Sequence, residues 1–434
     1  MTFSRSQKKT QKLYNILSAA VALIAITFSL GLTASAQTET ALYEFTGHAD
    51  GSGPLANLVS DSAGNLYGTA GGEVFELSPA SGGEWTHSTI LTFTQGRLPE
   101  SPLLLDSAGN LYGTTVEGGT GFNCNFGEGC GIVYELSQVS GVWTETVLYN
   151  FTGGTDGGSP IGNLAFDSAG NLYGATNFGG NISCSRSGLG CGVVFELSPT
   201  SSGWQESVVH TFIDKADGAY PLGGVTMDAA GNLYGKTSSG GNINDCPGQV
   251  SGCGTVFKLT PSSTGWTERA LHTFAQNAGG YAPQAGVVFD AAGNLYGTTE
   301  TGGGVFKLTP TSSGPWTFSL LKTLGLRGGA TPLAGVALDA AGNVYGTTNA
   351  GGDLSSSVCN SNGCGVVFKL TPTTSGPWTE TVLHSFTGGT DGRYPYRSGV
   401  VLDSAGNVYG TTEEGGKLSD CSGVGCGVVY KIAP

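Results

Sequence analysis

One phrase, D-[SA]-A-G-N-[LV]-Y-G, recurs seven times and constrains the fold of this chain more than any other feature. The copies begin at Asp61, Asp106, Asp167, Asp228, Asp290, Asp339 and Asp403. Successive copies lie 45 to 64 residues apart, a period typical of propeller blades or solenoid units. Because Asp accepts hydrogen bonds from turn amides and Gly-Asn tolerates positive φ, we interpret the seven aspartates as structural turn residues rather than catalytic carboxylates.

Each repeat contains four short segments that are rich in β-branched and aromatic residues and bounded by Gly, Pro, Asn or Ser. In the fifth repeat these segments are 285–289, 295–299, 304–308 and 316 to about 324. After the N-terminal region no segment has a sustained helical period. Four strands in each of seven repeats predict an all-β fold, a seven-bladed β-propeller with four strands per blade.

The two ends of the chain share one repeat. Six tryptophans mark the fourth segment of six repeats, namely Trp85, Trp143, Trp204, Trp266, Trp316 and Trp378. The seventh repeat reaches residue 434 after its third segment, and residues 37–45 match the missing fourth, with Gln37 at the tryptophan position. We therefore expect the N-terminal strand to complete the last blade, which pairs the edges of an open ring, and residues 37–434 to form a single domain.

The N-terminus has the pattern of an export signal. Four basic side chains between residues 5 and 12 precede an apolar run from Leu13 to Leu32, and the run ends in an A-x-A site at Ala36. These are the n-region, h-region and cleavage site of a signal peptide, which we assign to residues 1–36. The run is also long enough to span a bilayer, so an uncleaved anchor is the alternative. We expect a secreted, periplasmic or cell-surface protein with no membrane association after cleavage.

Composition narrows the class of partner. Glycine accounts for 75 of 434 residues, charged residues for 12%, and the formal net charge is −14. Removal of the basic leader makes the chain more acidic still. Because such a chain repels phosphate backbones, the sequence argues against nucleic acid as a partner.

The cysteines occur in five close pairs, each between the second and third segments of a repeat. The pairs are Cys124 and Cys130, Cys184 and Cys191, Cys246 and Cys253, Cys359 and Cys364, and Cys421 and Cys426. The repeats that begin at Asp61 and Asp290 lack both cysteines and the longer loop. In an exported protein this pattern predicts disulfides within loops. Zinc would need four ligands, whereas each loop offers two thiols and no His, so we expect no metal there.

In a four-stranded meander the cysteine loops share one face with the loops that lead to the next blade. Loops on a rigid scaffold often carry function, so we assign candidate ligand-binding residues to this face. They are Asp50, Asp156, Asp217, Asp391, Tyr220, Tyr281, Tyr394 and Tyr396. The alternative is that the Asp-Gly pairs form tight turns and the tyrosines pack the ring. We expect no required cofactor, with calcium held by loop aspartates as an open alternative.

No catalytic motif is present, and we assign no catalytic residue. His210, His272 and His384 occupy one position in three different fourth segments, which separate blades cannot bring together. One asymmetry has no assigned role. The third segment carries Glu76, Glu135 and Glu196 in the first three repeats, but Lys258, Lys307, Lys369 and Lys431 in the last four.

The phrase D-x-x-G-N-[LV]-Y-G-T-T, followed by a Gly-rich loop and G-x-V-F-[EK]-L, resembles the GloVer tandem repeat family of exported bacterial proteins across residues 37–434. The resemblance implies extracellular tandem repeats, often followed by a surface anchor, and no established catalytic residues. No anchor follows residue 431 here, which favours free secretion or a periplasmic location. The D-x-x-G-N turn also has a weaker similarity to NHL and gluconolactonase-type propellers.

Two functional hypotheses follow. The first is a non-enzymatic propeller that binds a polysaccharide, a cell-envelope component or an extracellular protein through its disulfide-closed loop face. The alternative is an extracellular enzyme of lyase or lactonase type, with its site in the central channel. The first segments are apolar and nearly identical, which favours binding over catalysis.

Overall fold

The computed structural model describes residues 37–94, 97–122, 124, 127–184, 188–214, 216–242, 244, 246, 252–276, 280–312, 315–359, 361–374 and 376–434. The predicted signal peptide, 1–36, lies outside the described residues. Glu39–Ala433 forms one compact unit. Within the described part of the chain, no helix has the length and apolar character needed to cross a membrane.

The described residues form seven antiparallel sheets, numbered here as blades in chain order. Blade 1 comprises Val59–Ser60, Leu66–Ala70, Glu73–Pro79 and Trp85–Thr92. Blade 2 comprises Leu104–Leu105, Leu111–Thr115, Ile132–Val139 and Val142–Asn150. Blade 3 comprises Ala165–Phe166, Leu172–Phe178, Val193–Thr200 and Gly203–Thr211, with Gly158–Pro160 also paired to its second strand. Blade 4 comprises Val225–Met227, Leu233–Thr237, Thr255–Ser262 and Gly265–Thr273.

Blades 5 to 7 continue the pattern. Blade 5 comprises Val288–Phe289, Leu295–Thr299, Gly304–Thr309 and Thr317–Thr323. Blade 6 comprises Ala337–Leu338, Val344–Thr348, Val366–Thr371 and Thr379–Ser385. Blade 7 comprises Val401–Leu402, Val408–Thr412 and Val428–Ile432, and its fourth strand is the N-terminal Glu39–Glu44. Glu39 pairs with Ile432 and Glu44 with Val428 in an antiparallel register. The prediction of a seven-bladed propeller closed by the N-terminal strand is confirmed.

The first five residues of the second strand are buried in every blade, because this strand lies between the sheets of the neighbouring blades. Its L-Y-G-T-T pattern places a glycine opposite an aromatic ring of the third strand, as Gly68 opposite Phe75. A Cβ at Gly68 would lie 2.6 Å from that ring, so the position has no room for a side chain. The fourth strands alternate between exposed and half-buried residues, as expected for the outer edge of a blade.

The hydrophobic core consists of seven clusters, each formed where one blade packs on the next. At the closure, Phe45 and Tyr409 of blade 7 pack with Leu66 and Phe75 of blade 1. Hydrogen bonds from second-strand side chains add to these interfaces. Thr298 Oγ1 donates to the Ala334 carbonyl at 2.8 Å, and similar bonds link Thr114, Thr347 and Thr411 to the following blade.

Lys236 replaces the threonine at this position in blade 4. Its side chain is fully buried, and its Nζ donates to the Thr298 carbonyl of blade 5 at 3.1 Å. Burial lowers the pKa of Lys236 to about 7, because the low-dielectric interior disfavours the charged amine.

The seven repeated aspartates close the turn between the first and second strands. Asp61 Oδ1 accepts hydrogen bonds from the amides of Ala63 and Asn65, both at 2.9 Å. Its Oδ2 accepts from Asn65 Nδ2 at 2.7 Å and from the Tyr67 hydroxyl at 3.2 Å. Burial by itself would raise the pKa of Asp61, but these hydrogen bonds outweigh it and lower the pKa. The other six copies make the same amide contacts, as seen at Asp403.

The Glu-to-Lys change in the third strand alters what faces the conserved tyrosine of the second strand. In blade 2 the Tyr112 hydroxyl donates to Glu135 Oε1 at 2.9 Å. In blade 4 the Lys258 ammonium lies 5.4 Å from the centre of the Tyr234 ring. Glutamate and lysine therefore contact the equivalent tyrosine of their own blades. The glutamate accepts a hydrogen bond from the tyrosine hydroxyl, and the lysine lies over the face of the tyrosine ring.

Candidate binding site at the channel mouth

Two kinds of loop lie on one face of the propeller, which we call the loop face: those between second and third strands, and those that connect one blade to the next. The D-x-x-G-N turns lie on the opposite face, which we call the turn face. All five cysteine pairs on the loop face are disulfide-bonded, with Cα atoms 5.0 to 6.0 Å apart. Blades 2, 3, 4, 6 and 7 carry these closed loops.

The second cysteine of each closed loop fixes the connection to the following blade. Its carbonyl accepts a hydrogen bond, 2.7 to 3.0 Å long, from a residue just before a proline. The donors are Ser159, Tyr220, Ala282, Tyr394 and Gly53. All five have left-handed backbones, with φ between 53° and 58°. The disulfide-closed loops therefore position the chain as it enters the channel wall.

A glycine follows the second cysteine in every closed loop. Gly131 has a φ of 84°, and a Cβ there would strike the Thr115 carbonyl and lie 2.6 Å from the Pro160 ring. The Cys-Gly dipeptide therefore contacts a dipeptide later in the chain, made of the hydrogen-bonded residue and the proline that follows it. Sequence reasoning missed this relation, although both dipeptides recur at matching places.

The four predicted ligand aspartates use their carboxylates within their own loops. Asp391 Oδ2 lies 3.1 Å from His384 Nε2 and accepts from the Thr387 amide at 2.8 Å, while its Oδ1 accepts from the Thr387 hydroxyl. Burial opposes ionisation of Asp391, but these hydrogen bonds outweigh it and lower its pKa. Asp50 and Asp156 accept equivalent bonds from threonines and from a tyrosine hydroxyl.

Asp217, the fourth of these aspartates, departs from the threonine pattern. Its Oδ2 lies 3.3 Å from His210 Nε2 and accepts from the Ile213 amide at 3.2 Å. The arrangement of all four supports a turn-forming role, and ligand binding by these aspartates stays a prediction.

The four predicted ligand tyrosines are half-buried around the channel entrance. Tyr220 and Tyr394 are two of the left-handed residues bound by cysteine carbonyls. Tyr281 exchanges backbone hydrogen bonds with Thr301. Tyr396 presents its ring to the Arg397 guanidinium, 5.4 Å from the ring centre. Their role as stacking platforms stays a prediction.

A pocket at the loop-face end of the central channel is lined by every blade. Its wall is formed by Asn57, Glu100, Pro102, Ile161, Gly162, Asn163, Leu222, Gly223, Gln284, Ala285, Gly286, Val288, Leu333, Gly335, Val336 and Arg397. We call this pocket the channel mouth. Its volume is about 70 Å³, below the roughly 300–1,000 Å³ of pockets that enclose a drug-sized ligand. It can therefore take one functional group or the end of a chain.

The polar side chains of the channel mouth come from different blades. Arg397 and Glu100 form an ion pair at 3.1 Å, with each side chain 25% exposed. Asn57 Oδ1 accepts a hydrogen bond from the Gly399 amide at 2.6 Å, and Gln284 donates to Glu300. The mouth thus presents amides and one ion pair on an otherwise apolar wall.

Further carboxylates lie near the channel mouth. Burial raises the pKa of Glu413, and the neighbouring Glu414 and Glu100 raise it further. Burial also raises the pKa of Glu117, which has Glu128 beside it. These groups favour the protonated form more than ordinary surface carboxylates do.

Two of the polar side chains in the channel mouth can be recognised in the sequence as departures from the repeat. Asn57 and Asn163 both stand four residues before a repeated Asp, whereas blades 4 to 7 have glycine there. The expectation of a uniformly apolar channel is therefore incomplete. A departure from the repeat at a channel position marks the candidate site better than the conserved turn residues do.

The five histidines lie outside the lining of the channel mouth. His87, His210, His272 and His384 belong to fourth strands, and His48 lies in the loop after the N-terminal strand. Within the part of the chain that the structure describes, no group of three or more His, Cys, Asp or Glu could hold a metal ion.

Solved structures of other proteins have a similar fold. A catalytically inactive virginiamycin B lyase from Staphylococcus aureus with quinupristin has a TM-score of 0.52 and 14% identity, covering 92% of this chain and 100% of that chain. YCF48 from Cyanidioschyzon merolae has a TM-score of 0.51 and 14% identity, covering 91% and 99%. At such identities the likeness concerns the fold alone.

Among curated proteins, no sequence matches this chain. The sequence pattern of the Gloeobacter/Verrucomicrobia repeat matches residues 70–304 and 246–434, which together span most of the chain. The chain belongs to the Gloeobacter/Verrucomicrobia repeat family.

Proposed function

We propose that this protein is an exported, non-enzymatic propeller that binds a polysaccharide, a cell-envelope component or an extracellular protein through its loop face. The observation that carries the proposal is the channel mouth, where five polar side chains break the repeat on a face where five blades have disulfide-closed loops. These side chains are Asn57, Glu100, Asn163, Gln284 and Arg397. Polar groups placed on an apolar wall are typical of specific binding sites.

The small volume of the channel mouth suggests how a larger ligand would be bound. One group, such as a hydroxyl or an amide, would enter the mouth, and the remainder would lie across the loop face. The hydrogen bonds from the residues before the prolines to the cysteine carbonyls hold the loops of this face in place before binding. A site that is already ordered has a lower entropic cost of association. The amide groups and the ion pair of Arg397 with Glu100 favour a polar ligand.

A catalytic role at the channel mouth is the second candidate. It draws support from Glu413, whose pKa is raised by burial and by Glu414 and Glu100. Acid–base catalysis uses carboxylates whose pKa values differ. Glu413→Gln would abolish turnover of a lyase or lactonase substrate if this candidate were correct, and would leave simple binding in place.

The test is a screen of the exported protein against glycans and envelope extracts, with calcium and again with EDTA. For a saturable ligand, Arg397→Ala and Asn163→Gly should each weaken binding at least tenfold, the second because it restores the glycine of blades 4 to 7. Arg327→Ala, on the same face but exposed and outside the pocket, is the control. Equal effects of all three variants would contradict a site at the channel mouth.

A further inference from the structure

A second candidate site lies on the turn face, where blades 2 and 3 meet. At most blade–blade interfaces the tryptophan of one blade covers the conserved tyrosine of the preceding blade. The pairs are Tyr67–Trp143, Tyr173–Trp266, Tyr234–Trp316, Tyr296–Trp378 and Tyr409–Trp85, with ring centres 5.8 to 6.4 Å apart. At these five interfaces the tryptophan ring therefore covers the tyrosine ring on the side of the turn face.

The interface between blades 2 and 3 is different. Tyr112 and Trp204, both among the described residues, make no such ring contact with each other. A groove of about 640 Å³ lies at this interface instead. It is lined by Leu104, Leu105, Asp106, Ser107, Tyr112, Phe166, Gly170, Pro199 and Trp204. Two other grooves on this face are smaller, about 370 and 300 Å³, and neither includes a tryptophan.

A phenylalanine beside the tyrosine does not by itself open the interface. Phe166 packs edge-on against Tyr112, with ring centres 4.9 Å apart. Blade 5 has the equivalent Phe289, which packs edge-on against Tyr234 at 5.0 Å. There the tryptophan still contacts the tyrosine, at 5.9 Å. The interface between blades 4 and 5 is therefore a closed counterpart of the open groove.

The polar side chains that line the groove are Asp106, Ser107 and Tyr112, and the Glu135 carboxylate lies behind the Tyr112 hydroxyl. The Tyr112 hydroxyl lies 2.9 Å from Glu135 Oε1 and 3.4 Å from Asp106 Oδ2. In blades 4 to 7 a lysine takes the place of Glu135. Ser107 adds an exposed hydroxyl at the rim. Carboxylates at the groove disfavour anions, and carboxylate and hydroxyl oxygens suit a ligand that carries many hydroxyl donors.

We propose that this groove binds a neutral pyranose residue of a polysaccharide. A sugar ring has C–H groups on one face, which pack on an indole, and hydroxyls at its edge, which donate to carboxylates and hydroxyls. Trp204 offers the apolar surface, and the exposed Ser107 hydroxyl lies at the polar rim. The Asp106 carboxylate beside it accepts bonds from Ala108 and Asn110 within its own turn. The volume lies within the roughly 300–1,000 Å³ range of ligand sites.

The groove does not depend on the function proposed for the channel mouth. It lies on the opposite face and shares no residue with the mouth. Arg397→Ala should therefore leave sugar binding at the groove unchanged, and loss of the groove should leave the channel mouth intact.

The experiment titrates the exported protein with cellohexaose, xylohexaose, mannohexaose and maltohexaose by calorimetry. Trp204→Ala should weaken binding of the best of these sugars at least tenfold. Trp266→Ala is the matched control, because it removes a tryptophan from the same strand position at an interface where the tryptophan covers the tyrosine, and it should change affinity less than twofold. Glu135→Lys, which installs the residue of blades 4 to 7, should weaken binding without removing an aromatic ring.

Three outcomes would overturn the proposal. The first is that none of the four neutral oligosaccharides binds. The second is that Trp204→Ala binds as tightly as Trp266→Ala. The third is that tetramethylammonium chloride, but not sodium chloride, competes with the sugar, which would assign the groove to cations. Circular dichroism of each variant would separate loss of binding from loss of folding.

Discussion

Blades with a disulfide-closed loop and blades without one hold the next blade in different ways. In blade 6 the Cys364 carbonyl binds the Tyr394 amide at 2.9 Å, on the way into blade 7. Blades 1 and 5 lack the loop, and each is joined to the next blade by an ion pair. Arg97 pairs with Glu145, and Lys322 pairs with Glu380 at 2.9 Å.

The same fourth-strand glutamate has a different environment beside a disulfide-closed blade. Glu268 of blade 4 faces His210 and Asp217 of blade 3, and Glu39 of blade 7 faces His384 and Asp391 of blade 6. Neither glutamate has a Lys or Arg partner among the described residues. The difference is confined to this glutamate position, because Arg393, in the connection from disulfide-closed blade 6 to blade 7, still pairs with Glu414 at 2.8 Å. Beside blades 1 and 5 the fourth-strand glutamate has a cationic partner, whereas Glu268 and Glu39 do not.

Removal of one disulfide should give the largest effect. Cys359→Ser with Cys364→Ser opens a short loop, which costs about 2 kcal/mol in the chain-entropy description. The Tyr394 amide should also exchange faster with solvent, because its acceptor is no longer held in place. Urea unfolding and hydrogen exchange measure the two effects, with exposed Ser357→Ala as control. An unchanged midpoint and unchanged exchange at Tyr394 would show that the loop needs no disulfide.

The glutamate beside a disulfide-closed blade should make stability depend on pH. Burial raises the pKa of Glu268 to about 7, with His210 opposing the shift and Asp217 adding to it. The folded state therefore binds the proton more tightly than the unfolded chain. The stabilising contribution is complete below the ordinary glutamate pKa and is lost as the pH rises through about 7.

Glu268→Gln should remove this dependence. Because the side chain is partly exposed, we expect the variant to be more stable than wild type at pH 8 by only about 1 kcal/mol. Below the ordinary glutamate pKa, at about pH 3.5, the difference should vanish. Glu380→Gln, the matched change beside blade 5, should instead destabilise at pH 8 because it removes the partner of Lys322. Urea unfolding of both variants and of wild type at the two pH values measures these differences. If both variants shifted the unfolding midpoint at pH 8 in the same direction, the comparison would be contradicted.

The ion pair of an open blade should give the smallest effect. Lys322→Met removes the pair with Glu380 and keeps the apolar stem, so we expect a loss of about 0.5 kcal/mol at low salt. The loss should shrink in 0.5 M sodium chloride, since salt screens exposed charges. Lys417→Met is the control, because the exposed Lys417 ammonium lies 3.7 Å from Asp420 Oδ2, and this change should alter the free energy of unfolding little. A loss that is independent of salt would indicate packing rather than charge.

Much of the fold could be predicted because its signals are local. The Asp61 carboxylate bonds to residues at most six positions away, so its role is visible in any one repeat. The fifth repeat shows the limit. Residues 285–289 were predicted as a strand, but only Val288–Phe289 pairs with its own blade. The residues before Val288 instead pack against the backbone of the neighbouring blade at the channel, where Gly286 lies next to Gly223.

The candidate site was predicted only in part. The loop face and its disulfides follow from the spacing of the cysteines. The aspartates predicted as ligands in the same loops accept hydrogen bonds from their own turns, because an Asp-Gly loop satisfies its own amides first, and their role in ligand binding stays a prediction. Asn163 and Arg397 were passed over because single departures from a repeat carry little weight until the ring places them around one axis.

The sequence by itself determined the number of blades, the closure by the N-terminal strand, and the loops that contain disulfides. Each of these depends on residues a few positions apart or on the repeat count. Only the tertiary structure decided that Glu100 meets Arg397, almost 300 residues later in the chain, and that Tyr112 and Trp204 leave a groove between them. Such contacts depend on the angle at which blades pack, which arises from the sum of many side-chain contacts and is not encoded in any single repeat.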